Sequence, residues 1–116
     1  IEAGFKRTIL VFHKEKIIPV KTTDITYVYT AFGSVYINTN SNLEFTTQYT
    51  MDQIEVMLDP HQFNRANRQF IINREIIQTV EYYFNRRLFL KISCETPEKV
   101  LISKPKVTEF LRWLES

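Results

Sequence analysis

Three adjacent polar residues, Asn67, Arg68 and Gln69, have side chains of the types that recognise base edges in DNA. Arginine makes paired hydrogen bonds to guanine, and asparagine or glutamine makes them to adenine. Phe63 precedes the three residues and Phe70 follows them, and these apolar neighbours are expected to be buried. The polar side chains would then point outward from a short, rigid turn. The pattern predicts nucleic-acid recognition or, equally well on composition alone, a polar surface turn without function.

Basic residues on either side of this turn are candidates for contacts to phosphate. Arg65 lies in a short extended stretch, where it would either hold a phosphate or pair with an internal carboxylate. Lys104 and Lys106 flank Pro105 at the predicted start of a helix. The N-terminus of a helix attracts anions, so the two lysines would suit a phosphate there. The alternative is that both lysines are simply solvated.

Two predicted turns carry unusual side chains. Phe32 lies in the turn at residues 31–34, where it would either pack against a base or sugar or fold back onto the sheet, the commoner outcome. Arg86 and Arg87 occupy a predicted hairpin tip. They are interpreted as solubilising charge in preference to phosphate contacts.

The residue types that enzymes need are scarce. The two histidines, His13 and His61, fall in separate predicted turns, and Cys94 is the sole cysteine, so the usual zinc spacings cannot be built. With two glycines there is no glycine-rich phosphate loop. Ser103 and Lys106 match the S-x-x-K pattern of serine enzymes, but the companion motifs are missing. The sequence therefore predicts no catalytic site, no metal and no cofactor.

The composition is typical of a single globular domain. Of 116 residues, 44% are hydrophobic and 24% are charged. Residues 1–60 carry five Lys/Arg and seven Asp/Glu, whereas residues 61–116 carry ten and six, so the basic half contains the 67–69 turn. One cysteine, no signal peptide and no apolar run of membrane-spanning length predict a reducing, cytoplasmic environment and no membrane contact. The domain is expected over residues 5–116, with residues 1–4 as a linker or tag remnant.

Strand signals dominate the chain, and the turns between them are short, which favours antiparallel pairing. One short helix is predicted after Thr50, where Thr50 and Gln53 form a capping box. A second is predicted from Pro105, with Val107, Phe110, Leu111 and Leu114 on its buried face. The predicted strands are residues 5–12, 17–20, 26–30, 35–39, 43–46, 76–84, 88–93 and 100–103. The fold class is β-dominated α+β, with several small antiparallel sheets, one central short helix and a C-terminal helix.

Tyrosines and phenylalanines within the strands raise RNA binding as an alternative, because unpaired bases stack on aromatic rings. They lie within apolar alternations, so packing in the core is the better interpretation. The aromatic signature of the RNA-recognition motif is also missing. The residues concerned are Tyr27, Tyr29, Tyr82, Tyr83 and Phe84.

Residues 63–73 resemble the F-x-R-x-H-R-S-[FY]-x-V-N core of LytTR-type DNA-binding domains, and they read F-N-R-A-N-R-Q-F-I-I-N. Two isoleucines, Ile76 and Ile77, follow as in the family. The resemblance covers nearly the whole chain, from about Phe5 to Trp113. Other parts in the family's order and spacing are the opening Asp24-Ile25-x-Tyr27-Val28, the capped helix and the closing Ile102-Ser103-Lys104.

The resemblance implies a DNA reader whose loops, and not a recognition helix, enter successive major grooves of a duplex and bend it. It implies the output domain of a bacterial two-component response regulator, with a receiver domain upstream, a sensor histidine kinase as its partner and a possible dimer on tandem sites. By position, the family's base contacts fall on Asn67 or Arg68, on Lys104 and on the loop at Gly33 and Ser34. Taken together with the residue types, the predicted base contacts are Asn67, Arg68, Gln69, Lys104 and Ser34, and the predicted contacts to the DNA backbone are Arg65, Lys106 and Gly33. The competing function is a protein-interaction module that has kept the fold without binding DNA.

Three departures from the family pattern fall on these positions. Asn67 stands where the family has His, and its side chain can satisfy a base as donor and acceptor together. Gln69 replaces a Ser, which extends its reach. Lys104 replaces an Arg and loses the bidentate fork. The preferred DNA sequence therefore does not follow from that of relatives.

Overall fold

A computed structural model describes residues 4–116, so most of the predicted linker at residues 1–4 lies outside the described residues. Within residues 4–116 the chain forms ten strands and two α-helices. The strands are β1 (Thr8–His13), β2 (Lys16–Lys21), β3 (Ile25–Ala31), β4 (Ser34–Thr39), β5 (Glu44–Thr47), β6 (Phe63–Arg65), β7 (Phe70–Asn73), β8 (Ile77–Tyr83), β9 (Arg87–Ile92) and β10 (Val100–Ile102). The helices are α1 (Met51–Met57) and α2 (Val107–Glu115).

The strands make two antiparallel sheets, in agreement with the antiparallel pairing predicted from the short turns. The larger sheet has seven strands in the order β2-β1-β5-β4-β3-β7-β6, and the smaller has three in the order β10-β9-β8. The segments on both sides of the 67–69 turn are themselves paired strands, because β6 and β7 form a hairpin in the large sheet. The three polar residues therefore lie at the turn of a hairpin.

Strands β3 and β7 are buried on both faces, which explains their nearly unbroken apolar sequence. Side chains alternate across a strand, so Val28 and Ile71 face one core while Tyr27 and Phe70 face the other. The first core is closed by helix α1 through Met51 and Ile54, and by Leu58, which directly follows the helix. The second is closed by the small sheet and by helix α2 through Leu88, Leu90, Val100, Ile102 and Phe110.

Helix α1 begins as its sequence predicts. The Thr50 hydroxyl accepts a hydrogen bond from the Gln53 amide at 3.1 Å, and the Gln53 side chain accepts one from the Thr50 amide at 2.9 Å. This reciprocal capping box satisfies two amides that a helix start would otherwise leave unpaired. The helix ends at Met57, and Leu58 follows in an extended conformation.

Helix α2 differs from its prediction in two respects. A 3₁₀ turn at Lys104–Lys106 precedes it, so the α-helix begins at Val107 and not at Pro105. Leu111 is 42% exposed, so it does not belong to the buried face. Trp113 packs inward instead, with its ring centre 5.7 Å from that of Phe110, and the Arg74 guanidinium lies 4.1 Å from the centre of the Trp113 ring. Arg74 also donates to the Trp113 and Leu114 carbonyls, which satisfies the end of the helix.

A candidate nucleic-acid interface

The turn between β6 and β7 comprises residues 66–69 and is called the 66–69 turn below. It is held by the side chain of Asn67. Its Oδ1 accepts hydrogen bonds from the Gln69 and Phe70 amides at 2.8 and 3.0 Å. Its Nδ2 donates to the Leu101 carbonyl at 2.9 Å, which ties the turn to strand β10. Asparagine commonly stabilises turns in this way, by replacing backbone partners with its own amide. One Nδ2 hydrogen remains for a base, so the paired contact to adenine would require the turn to open.

Arg65 also supports the 66–69 turn, and it links the turn to helix α1. Its guanidinium forms ion pairs with Asp52 at 2.5 Å and with Glu55 at 3.0 Å, both on helix α1. It also donates to the Arg68 carbonyl at 3.1 Å. Burial lowers the pKa of Arg65, but the hydrogen bonds to the two carboxylates outweigh that effect, so the pKa is raised. The internal salt bridge considered in the sequence is thus present, while phosphate contact stays a prediction.

Gln69 is half-buried beside a carboxylate. Its Nε2 lies 3.5 Å from Glu98 Oε2, which accepts a much shorter hydrogen bond of 2.7 Å from the Tyr29 hydroxyl. This hydrogen bond to Glu98, together with burial, raises the pKa of Tyr29. The Glu98 charge also lies next to any base that Gln69 would approach. It favours a base edge that presents hydrogen-bond donors over one that presents only acceptors.

Three segments distant in sequence meet around this turn. The Thr30 amide donates to the Gln69 carbonyl at 3.0 Å, so the β3–β4 hairpin tip lies beside the turn. The bond from Asn67 to Leu101 brings in β10, which leads directly into Lys104. The family resemblance implied that these segments lie close together. No local sequence pattern could predict it, because the segments are joined by hydrogen bonds between residues far apart in the chain.

Arg68, Lys104 and Lys106 are the exposed cations of this surface. Within residues 4–116 none of the three forms an ion pair, in contrast to Arg65. Only the backbone carbonyl of Arg68 is engaged, which leaves its guanidinium free to bind an external group. An exposed arginine on a fixed backbone can make a bidentate contact to guanine or phosphate at a small entropic cost.

The β3–β4 tip holds the remaining predicted contacts. Gly33 has φ +76°, a left-handed conformation that glycine adopts without steric cost, and it is fully open to solvent. Ser34 is half-buried, and its carbonyl accepts from the Thr30 hydroxyl at 2.9 Å. Phe32 is 99% exposed, so the expectation that it folds back onto the sheet is wrong. A two-residue turn is too short to return a side chain at its tip to the sheet surface.

The aromatic residues divide between the core and the surface. Tyr27 and Tyr29 are buried against Phe70, as the packing interpretation predicted. Tyr82 and Phe84 are 94% and 74% exposed, so the packing prediction is wrong for these two. Tyr82 lies near the end of β8, and Phe84 lies in the turn between β8 and β9. Arg87 donates to the Phe84 carbonyl at 3.1 Å, while Arg86 is exposed.

Within residues 4–116 the side chains of His, Cys, Asp and Glu do not form a group that could hold a metal ion. Among the helices of the same residues, none has the length and apolar character needed to cross a membrane.

Comparisons of the chain with protein families, with curated proteins and with solved structures agree with one another. The model of the LytTr DNA-binding domain family matches residues 15–115. The sensory transduction protein LytT of Bacillus subtilis (strain 168) is 35% identical over 71 residues. That alignment covers 61% of this chain but only 29% of LytT, so the chain spans less than a third of that relative. A solved LytTr DNA-binding domain from Bacillus cereus has a TM-score of 0.82 at 22% identity, covering 96% of this chain and 99% of that one.

Proposed function

The chain belongs to the LytTr DNA-binding domain family, and we propose that it is the sequence-specific, duplex-binding output domain of a bacterial response regulator. The family is one of DNA-binding domains and not of enzymes. In the proposal, the 66–69 turn and the β3–β4 tip enter successive major grooves. The receiver domain, the sensor histidine kinase that acts on it, a dimer on tandem sites and a cytoplasmic location belong to this same proposal.

The single observation that supports it best is the contrast between Arg68 and its neighbours. Asn67 and Arg65 use their polar groups on the backbone of the turn, while the Arg68 guanidinium remains exposed and unpaired among residues 4–116. A backbone held in advance reduces the entropy lost on binding. Arg68 is therefore assigned the main base contact.

The other predicted residues take roles that fit their surroundings. Lys104 contacts a base, or supports the base that Arg68 contacts. Gln69 and Ser34 contact the edges of further bases. Asn67 offers its one remaining amide hydrogen to a base and otherwise positions the turn. Lys106 and Gly33 contact the DNA backbone. Arg65 contacts it as well, although its ion pairs with Asp52 and Glu55 offset part of its charge.

The test begins with selection of a duplex site from a randomised pool, followed by affinity measurements on that site. Arg68→Ala is expected to weaken specific binding by about 1–3 kcal/mol and to relax the preference at one position. Lys106→Ala should weaken all sequences alike and reduce the slope of log affinity against log salt by about 1. Arg112→Ala is the matched control, because it removes the same charge from an exposed site on α2 near its end.

Each outcome separates the proposal from its competitor. Enrichment of a motif whose binding depends on Arg68 but not on Arg112 supports a sequence-specific reader. No enrichment, or equal losses in the two variants, contradicts it and favours the protein-interaction module. A preference for single strands over duplex would favour RNA or single-stranded DNA instead.

A further inference from the structure

Phe32 is more exposed than any other large apolar residue within residues 4–116. Its exposure is 99%, whereas Leu43, at the turn that ends β4, is 54% exposed. Burying a phenylalanine side chain stabilises a protein, because its large apolar surface is removed from water. None of this stabilisation is gained in the free domain, although the neighbouring strands bury most of their apolar residues.

The backbone of Phe32 is also unfavourable for its side chain. Ala31 pairs with Ser34, so Phe32 and Gly33 form a two-residue hairpin turn with φ values of +54° and +76°. Such turns favour Asn-Gly, because asparagine and glycine tolerate positive φ better than other residues. A bulky side chain at positive φ is an outlier. Phe32 is therefore disfavoured both by its exposure and by its backbone.

The tip that carries Phe32 projects from the surface on which Arg68 lies. The Thr30 amide donates to the Gln69 carbonyl at 3.0 Å, and Tyr29 pairs with Phe70 across the same two strands. Phe32 lies two residues beyond Thr30, so it extends about 7 Å past that pairing at the usual rise of a strand. A duplex bound by Arg68 would meet Phe32 on the same approach.

The major groove of DNA presents one prominent apolar group, the C5 methyl of thymine, and phenylalanine is among the side chains that contact it. We propose that Phe32 packs against a thymine methyl in the groove entered by the β3–β4 tip. It thereby selects thymine at one position of the site. This inference rests on the proposed function, since it requires that the domain bind duplex DNA.

The experiment combines a change in the protein with a change in the DNA. Each thymine of the selected site is replaced in turn by deoxyuridine, which lacks only the methyl group. At one position this change is expected to weaken binding by the wild-type domain about fourfold, the effect of burying one methyl-sized group. Phe32→Ala should lose at least as much on the thymine site, and it should not distinguish thymine from deoxyuridine at that position.

Controls keep this inference separate from the proposed function. Leu43→Ala removes an exposed apolar side chain from a turn at the opposite end of β4 and should leave DNA affinity unchanged. Phe32→Leu should retain part of the discrimination, and thermal unfolding should show that both Phe32 variants remain folded. If Arg68→Ala loses affinity while Phe32→Ala does not, the inference is overturned and the proposed function stands. If neither loses affinity, both fail.

Two other results would also overturn the inference. In the first, the loss of affinity caused by Phe32→Ala and the loss caused by deoxyuridine would add in full at every position of the site. Full additivity would show that Phe32 and the thymine methyl do not contact each other. Alternatively, 2-aminopurine placed beside the tip could brighten with the wild-type domain while deoxyuridine has no effect. That result would identify Phe32 as a wedge between bases and not as a contact to a methyl group.

Discussion

The 66–69 turn and the β3–β4 tip lie side by side at one end of the large sheet, joined by the hydrogen bond from Thr30 to Gln69. The first is held by side chains, through the three hydrogen bonds of Asn67 and the guanidinium of Arg65. The second is a bare two-residue turn with Phe32 exposed. Under the proposed function, the two regions would contact DNA in different ways. The 66–69 turn is a rigid support for a long cationic side chain, and the β3–β4 tip is a short projection that carries a stiff apolar one.

The largest effect is expected at Asn67. Asn67→Ala leaves the Gln69 and Phe70 amides and the Leu101 carbonyl without their partner. We expect the free energy of unfolding to fall by about 2–3 kcal/mol, because half-buried backbone groups lose their hydrogen bonds. Urea unfolding measures the change.

Asn64→Ala is the control for that variant, since Asn64 is a half-buried asparagine in the same hairpin. Asn67→Asp should fall between the wild type and Asn67→Ala, because it keeps the acceptor and loses the donor. Equal stability of Asn64→Ala and Asn67→Ala would contradict the assigned role of Asn67.

Arg65→Ala should have the next largest effect. Exposed ion pairs contribute little, but this guanidinium is half-buried and also binds the Arg68 carbonyl. We expect a loss of about 1–2 kcal/mol in the free energy of unfolding, with faster hydrogen exchange at the Gln69 amide. For comparison, Lys91→Ala removes an exposed ion pair with Glu81 and should cost only a few tenths of a kcal/mol. Similar losses in the two variants would show that Arg65 does not support the turn.

A third expectation concerns the core beneath the 66–69 turn at high pH. Burial, reinforced by nearby groups beginning with Cys94, raises the pKa of Tyr27 to about 12. Its folded pKa therefore exceeds its unfolded value, so the stabilisation is complete below pH 10 and is lost as the pH rises towards 12. Between pH 9 and pH 11 the loss is about 1 kcal/mol.

Tyr27→Phe isolates this contribution, because it removes the titrating group and keeps the ring that packs against Phe70. The variant should lose less stability than the wild type when urea unfolding is repeated at pH 9 and pH 11. An identical pH dependence in the two proteins would assign the effect to other groups, among them Tyr29, whose pKa is also raised.

The smallest expected effect has the opposite sign and falls on the β3–β4 tip. Phe32→Asn creates Asn-Gly, the preferred pair for this type of turn, and should raise the free energy of unfolding by about 0.5–1 kcal/mol. The same variant should bind DNA more weakly if Phe32 contacts a base. A gain in stability together with a loss of affinity is typical of a residue retained for function. A loss of stability would show that the free domain stabilises Phe32 through packing.

Several features of the fold could be predicted because they depend on residues close in sequence. The capping box of α1 needs only Thr50 and Gln53, three residues apart, and both of its hydrogen bonds are present. The β-branched and aromatic residues of β3 and the short turns around it are equally local, and they predicted antiparallel strands. Helix α2 was predicted less well, because Trp113 and not Leu111 faces inward. Trp113 is held by contacts from another part of the chain, since its ring lies against Arg74 and its indole N–H donates to the Pro60 carbonyl.

From the sequence itself follow the β-dominated class, the capped helix and the polar turn at residues 67–69, since propensity and periodicity act over a few residues. Only the tertiary structure decided which residues hold that turn in place and which keep a free side chain. Asn67 binds a carbonyl 34 residues away, and Arg65 reaches two carboxylates on helix α1. Such partners are chosen by strand pairing across the whole chain. They leave Arg68 free, and a tip too short to fold back leaves Phe32 exposed.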